Sequence, residues 1–103
     1  MTHPSKRKGN AYERELVNQA IAAGLTSKRA YASNGQSLGH GEEVDLLVGG
    51  KRIQAKRRKA IASFLQVTEQ IDAVAFRENG GKTMVLITWN EYLDLLKTQK
   101  KLE

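Results

Sequence analysis

The chain contains no cysteine, so no disulfide, thiolate metal site or cysteine nucleophile can contribute to its stability or its chemistry. It has no apolar run approaching the ~20 residues of a membrane span, and its opening stretch from Met1 to Lys8 is polar and basic, unlike a secretory signal. These absences point to a soluble, non-secreted protein, cytoplasmic or, for a viral chain, in the host-cell cytoplasm. Acid is scarce as well. Asp and Glu number 11 against 17 Lys and Arg, a formal charge of +6. A balance of that sign attracts polyanions, nucleic acid first, although surplus lysine can also serve solubility alone.

The length of 103 residues suits one domain spanning 1–103 with one modest core. Residues 1–8 read as a flexible basic arm whose Lys6, Arg7 and Lys8 can follow a phosphate backbone. From Asn10 to Leu25 the apolar residues recur at helical spacing, behind an Asn10 cap with Glu13 three residues on, and the helix ends near Gly24. Lys28 to Ala32 suits a short strand, and Ser33 to Gly41, with three glycines, a loop. Val44–Val48 and Lys51–Arg57 flank Gly49-Gly50, a strong hairpin signal. Ser63 and Gln66 form a capping box before an apolar stripe of Phe64, Val67, Ile71 and Ala75, which predicts a second helix. Strands follow at 74–77 and 83–88 around the Asn79–Lys82 turn. Thr88 and Glu91 then cap a last helix. The order is αβββαββα, an α/β fold.

Two positions in this layout suggest chemistry. At about 100° per residue, Glu13 falls inside the apolar stripe of the first helix, where an unpaired carboxylate is costly and some cation is expected to meet it. A first-turn Glu can also simply favour the helix dipole. The second position is the hairpin. A two-residue turn at Gly49-Gly50 pairs Val48 with Lys51 and, continuing, Asp45 with Gln54, with Lys56 diagonal to Asp45 on the same face. Asp45, a side-chain oxygen of Gln54, the Ala55 carbonyl and Glu13 are the hard oxygen donors that a divalent cation takes for phosphodiester hydrolysis. Lys56 can orient a water or stabilise charge on the phosphoryl oxygens. The bland alternative is a surface ion pair between Asp45 and Lys56.

The segments Lys8-Gly9-Asn10-Ala11-Tyr12-Glu13-Arg14-Glu15-Leu16-Val17 and Arg29-Ala30-Tyr31-Ala32-Ser33, with Asp45 and Gln54-Ala55-Lys56, resemble the archaeal-type Holliday junction resolvases of the PD-(D/E)xK nuclease superfamily. The likeness runs over nearly the whole chain. It implies a restriction-endonuclease-like core, with a central mixed β-sheet flanked by helices, and a structure-selective endonuclease that resolves four-way junctions with Mg²⁺, or Mn²⁺ in its place. By that resemblance Glu13, Asp45, Gln54 and Lys56 are catalytic, with Glu13, Asp45, Gln54 and Ala55 on the metal and Ser33 near the scissile phosphate. Val44 replaces the proline of the motif, and Gln54 replaces its second acid, which removes one negative charge; Glu43, on the face of Asp45, either restores that charge or, the favoured reading, only pairs with Lys56.

The DNA contacts expected beside the site come from Lys6, Arg7, Lys8, Arg29, Ser37, Arg52, Arg57, Arg58 and Lys59. Lone His40 is given no role. A four-way junction is cut on two strands, so the resemblance and the symmetry of the substrate together imply a homodimer. Its interface could draw on the apolar residues of 84–87 and 89–96. Two other readings stay open: a restriction-type or nicking nuclease on duplex DNA, and a non-catalytic nucleic-acid-binding module.

Overall fold

The computed structural model describes residues 4–30 and 35–102, with side chains of the first helix described from residue 9 onward. The elements are α1 (Pro4–Ala22), β1 (Ser27–Arg29), a 3-10 turn (Gly35–Leu38), β2 (Leu46–Val48), β3 (Lys51–Ile53), β4 (Val74–Phe76), β5 (Met84–Leu86) and α2 (Trp89–Leu102). Among these residues the chain is a mixed α/β protein with two helices and two small antiparallel sheets, β1-β2-β3 and β4-β5.

Local chemistry sets the ends of the elements that matter for the site. α1 stops at Gly24, whose φ of 89° is left-handed. There Leu25 N–H reaches Ala20 O at 3.0 Å and Gly24 N–H reaches Ile21 O at 2.9 Å, a Schellman cap. The cap returns Leu25 to the core beside Ala20. The β2–β3 hairpin turns on Gly49 and Gly50, with φ of 53° and 81°, the two positive values that a type I′ turn requires. Its register is Leu46↔Ile53, Leu47↔Arg52 and Val48↔Lys51, as the two-residue turn predicts. At α2, Thr88 Oγ1 accepts the N–H of Glu91 at 3.2 Å, the expected cap.

The core lies where these pieces meet. Leu16 and Ala20 of α1, Leu25, Leu46 and Val48 of β2, and Leu93 and Leu96 of α2 form one buried cluster. β2 is the central strand, paired on one side with β1 through Arg29↔Leu46 and on the other with β3. Its alternate residues Leu46 and Val48 are fully buried, so the strand that Asp45 immediately precedes is anchored in the core.

Three sequence expectations are corrected. The arm expected over residues 1–8 is helical from Pro4, and Asn10 lies inside α1 rather than capping it. Proline's fixed φ suits a first helical position, and Lys and Arg are good helix formers. The helix expected from Ser63 is absent: 63–73 forms isolated turns, with Leu65 N–H on Ala62 O and Ile71 N–H on Thr68 O. Thr68 Oγ1 takes the N–H of Gln70 at 3.2 Å, a side-chain bond that competes with helix, and the expected stripe is not buried, with Phe64 and Ile71 exposed. Among the described residues the strands form two small antiparallel sheets, β4 pairing with β5 and β1-β2-β3 standing as the other.

Candidate active site

Glu13 projects from α1 on the face of Leu16 and Ala20 and is 6% exposed. The cation that meets it is Arg29, whose Nε lies 3.3 Å from Glu13 Oε1. β1 brings it there by packing beside α1 and ending at Arg29. The Nε–H is not aligned for a hydrogen bond, so the contact is an ion pair in geometry as well as in charge. Arg29 was expected on DNA; the structure turns its guanidinium to the buried carboxylate.

Asp45 stands one residue before β2 and is fixed by three hydrogen bonds. Its carbonyl accepts Ala30 N–H at 2.8 Å, and its N–H donates to Ile53 O at 2.9 Å. Its Oδ2 accepts Ala55 N–H at 2.7 Å, a charge-assisted bond. Ile53 is already the partner of Leu46, so Asp45 and Leu46 together oppose one residue, the arrangement of a β-bulge. The expected register holds as far as Leu46↔Ile53 and the ladder ends there: Asp45 bonds Ile53 O in place of pairing with Gln54, and its carboxylate reaches across to the Ala55 amide. Oδ1 has no partner among the described residues. Asp45 makes no ion pair with Lys56, and Glu43, exposed, makes none among the described residues.

These residues converge. Glu13, Asp45, Ala55 and Lys56 line one open cavity of about 470 Å³, together with Gly9 and Tyr12 of α1 and the run Arg57, Arg58 and Lys59. Gln54 is exposed and does not line the cavity, although Ala55 and Lys56 directly after it do. Among the described residues no group of three His, Cys, Asp or Glu side chains gathers as a metal cage. The donors present, two carboxylates and the carbonyl-bearing Ala55, nevertheless fit Mg²⁺, which binds through one or two carboxylates and keeps several waters. Four cationic side chains at the rim form no ion pair among the described residues and stay available to an anion.

The remaining expected residues divide into three groups. Arg52 on β3 and Ser37 in the 3-10 turn are exposed and do not line the cavity. Ser33, and the side chains of Lys6, Arg7 and Lys8, lie outside the described residues. Gly9 and Tyr12 line the cavity but were not selected from sequence. The signal was there: residues 9, 12 and 13 share one helix face, so a site at Glu13 also recruits the positions one turn before it. Comparison with protein-family models, curated proteins and solved structures gives no match to this chain.

Proposed function

We propose that this chain is a divalent-metal-dependent DNA endonuclease of restriction-endonuclease-like type, acting on four-way junctions as a homodimer. The observation that carries this reading is the shared cavity: a buried carboxylate, a backbone-fixed aspartate and a lysine line it together with Arg57, Arg58 and Lys59, which form no ion pair among the described residues. A binding module needs the cations and gains nothing from two inward carboxylates, whose repulsion of phosphate opposes binding.

In this reading Asp45, Glu13 and the Ala55 carbonyl hold Mg²⁺. When bound, the ion polarises a phosphoryl oxygen and lowers the pKa of a water. Ala55 N–H holds one oxygen of Asp45 and leaves the other free to ligate. Arg29 offsets part of the cost of burying Glu13 and keeps its carboxylate at the cavity wall. Lys56 stabilises charge that grows on the phosphoryl oxygens as water attacks. Arg57, Arg58 and Lys59 hold flanking phosphates, a contact that positions DNA without reading sequence. Gln54, outside the cavity, has no part in this scheme.

The test incubates labelled four-way junction and a matched linear duplex with the protein and Mg²⁺, beside Asp45→Asn. Asp45→Asn keeps an acceptor for Ala55 N–H but loses the ligating charge, so cleavage should fall on the order of 10²-fold or more with little change in fold. No cutting of either DNA by the unaltered protein refutes the nuclease. Equal cutting of both refutes the junction preference.

A further inference from the structure

The catalytic cavity does not end at its carboxylates. A second depression, about 640 Å³, adjoins it and is bordered by Glu15 of α1 on one side and by Ala60 and Ile61 on the other. Tyr12 and the run Lys56–Lys59 line both, so the two form one groove with Tyr12 at the junction. The two segments that line this groove differ in character. From α1 come Glu13, Glu15 and the Tyr12 ring; from the segment after β3 come Lys56, Arg57, Arg58 and Lys59, which form no ion pair among the described residues. Phosphates are driven to the cations and away from the carboxylates, which turns the base of a bound nucleotide toward α1.

We propose that Tyr12 is a stacking platform for a nucleobase beside the scissile phosphate, so that the groove takes a strand whose base has left the helical stack. This rests on the endonuclease reading and assigns its branch-point preference to one positioning residue. The ring is suited to the task. It packs against the hydrophobic core, which fixes its orientation before any ligand arrives, and it lines the groove at the same time. Such a ring offers a π-face at little entropic cost. Its hydroxyl has no hydrogen-bond partner among the described residues and can serve a phosphate or base edge. A perfect duplex keeps its bases stacked on one another and presents none to this ring, whereas the stack is interrupted at a branch point or an unpaired nucleotide. Base stacking on an aromatic residue is sequence-tolerant, since every base has a π-face.

The test measures affinity in Ca²⁺, where strands remain uncut, for three DNAs: a four-way junction, a duplex with one unpaired nucleotide, and a perfect duplex. Tyr12→Leu, which keeps the core contact, should lose about tenfold or more in affinity for the first two and less than about twofold for the perfect duplex. Tyr12→Phe should stay within about twofold of the unaltered protein on all three. A 2-aminopurine at the branch point should change its emission on binding the unaltered protein and Tyr12→Phe, and not on binding Tyr12→Leu. An equal loss on all three DNAs, or no loss on any, overturns the proposal. Failure of the unaltered protein to cut in Mg²⁺ removes the nuclease reading but leaves this binding comparison to decide Tyr12; failure to bind any of the DNAs overturns both.

Discussion

The unit made of α1, β1–β3 and α2 buries Leu16, Leu25, Leu46, Val48, Leu93 and Leu96 against one another, whereas no residue between 57 and 88 is buried. In that second region Phe64 meets Phe76 edge to face at 6.4 Å, while Met84 and Val85 of β5 are more than half exposed. The radius of gyration, 15.0 Å, exceeds the ~13 Å of a well-packed domain of this size, as expected when a third of the chain lies outside the core. The site belongs to the first region. Both carboxylates are anchored there, Glu13 by an ion pair and Asp45 by backbone bonds, and the cationic run begins where the chain leaves β3 for the second. Rigid placement of the acids and loose placement of the cations suit their tasks, since oxygen donors for a metal need fixed geometry and phosphate contacts do not.

The largest test of this contrast pairs Leu46→Ala with Val85→Thr. Leu46 is fully buried at the centre of the sheet, and its truncation should cost about 2–5 kcal/mol, enough to unfold much of a marginal domain. Val85 is exposed, and Val85→Thr should change stability by less than about 0.5 kcal/mol. Urea denaturation followed by circular dichroism measures both, and similar costs would abolish the division into two regions.

A smaller effect probes how Glu13 is held. Arg29→Met removes the Arg29 cation from the carboxylate and should cost about 2 kcal/mol, less than for a fully buried pair because the Arg29 side chain keeps 23% of its exposure. Glu13→Gln added to Arg29→Met should recover much of that loss, and a double-mutant cycle of urea midpoints reads the coupling. Additive losses would mean that the ion pair does not hold the site together.

Gly9→Ala should stabilise α1 by about 0.5–1 kcal/mol, since a helical glycine is unfavourable and a Cβ there meets nothing within 4 Å. A higher melting temperature with weaker junction binding would show that the gap at Gly9 serves a ligand and not the fold. The smallest effect is expected at Gln54. Direct ligation from the sequence register predicts tighter metal binding in Gln54→Glu, whereas a side chain outside the cavity predicts a change under about twofold, the long-range effect of one exposed charge. Mg²⁺ titration by calorimetry separates the two; a large gain in affinity would return Gln54 to the site.

Much of the site-bearing region was legible because its signals are local. Gly49-Gly50 sets the hairpin register through turn geometry, Thr88 and Glu91 mark a helix start, and the period of α1 turns Glu13 inward. The need for a cation at Glu13 was readable too, but its identity was not, because Arg29 comes from a different element. Register counting carried Asp45 to Gln54 by assuming an unbroken ladder, and a bulge needs no sequence signature. The stripe from Phe64 to Ala75 misled for a related reason: helical period predicts a helix only where another surface stands ready to bury it.

By itself, then, the sequence determined several short-range parts of this protein: the helix end at Gly24, the Thr88 cap, the glycine turn, the charge surplus and the acid on the apolar face of α1. These depend on φ, ψ and residues a few positions apart. The tertiary structure decided which donors share a cavity. It set Arg29 on Glu13, tied Asp45 to Ala55, left Gln54 outside and brought Tyr12 and Gly9 in, because packing α1 against β1 and β2 juxtaposes residues that no local rule connects.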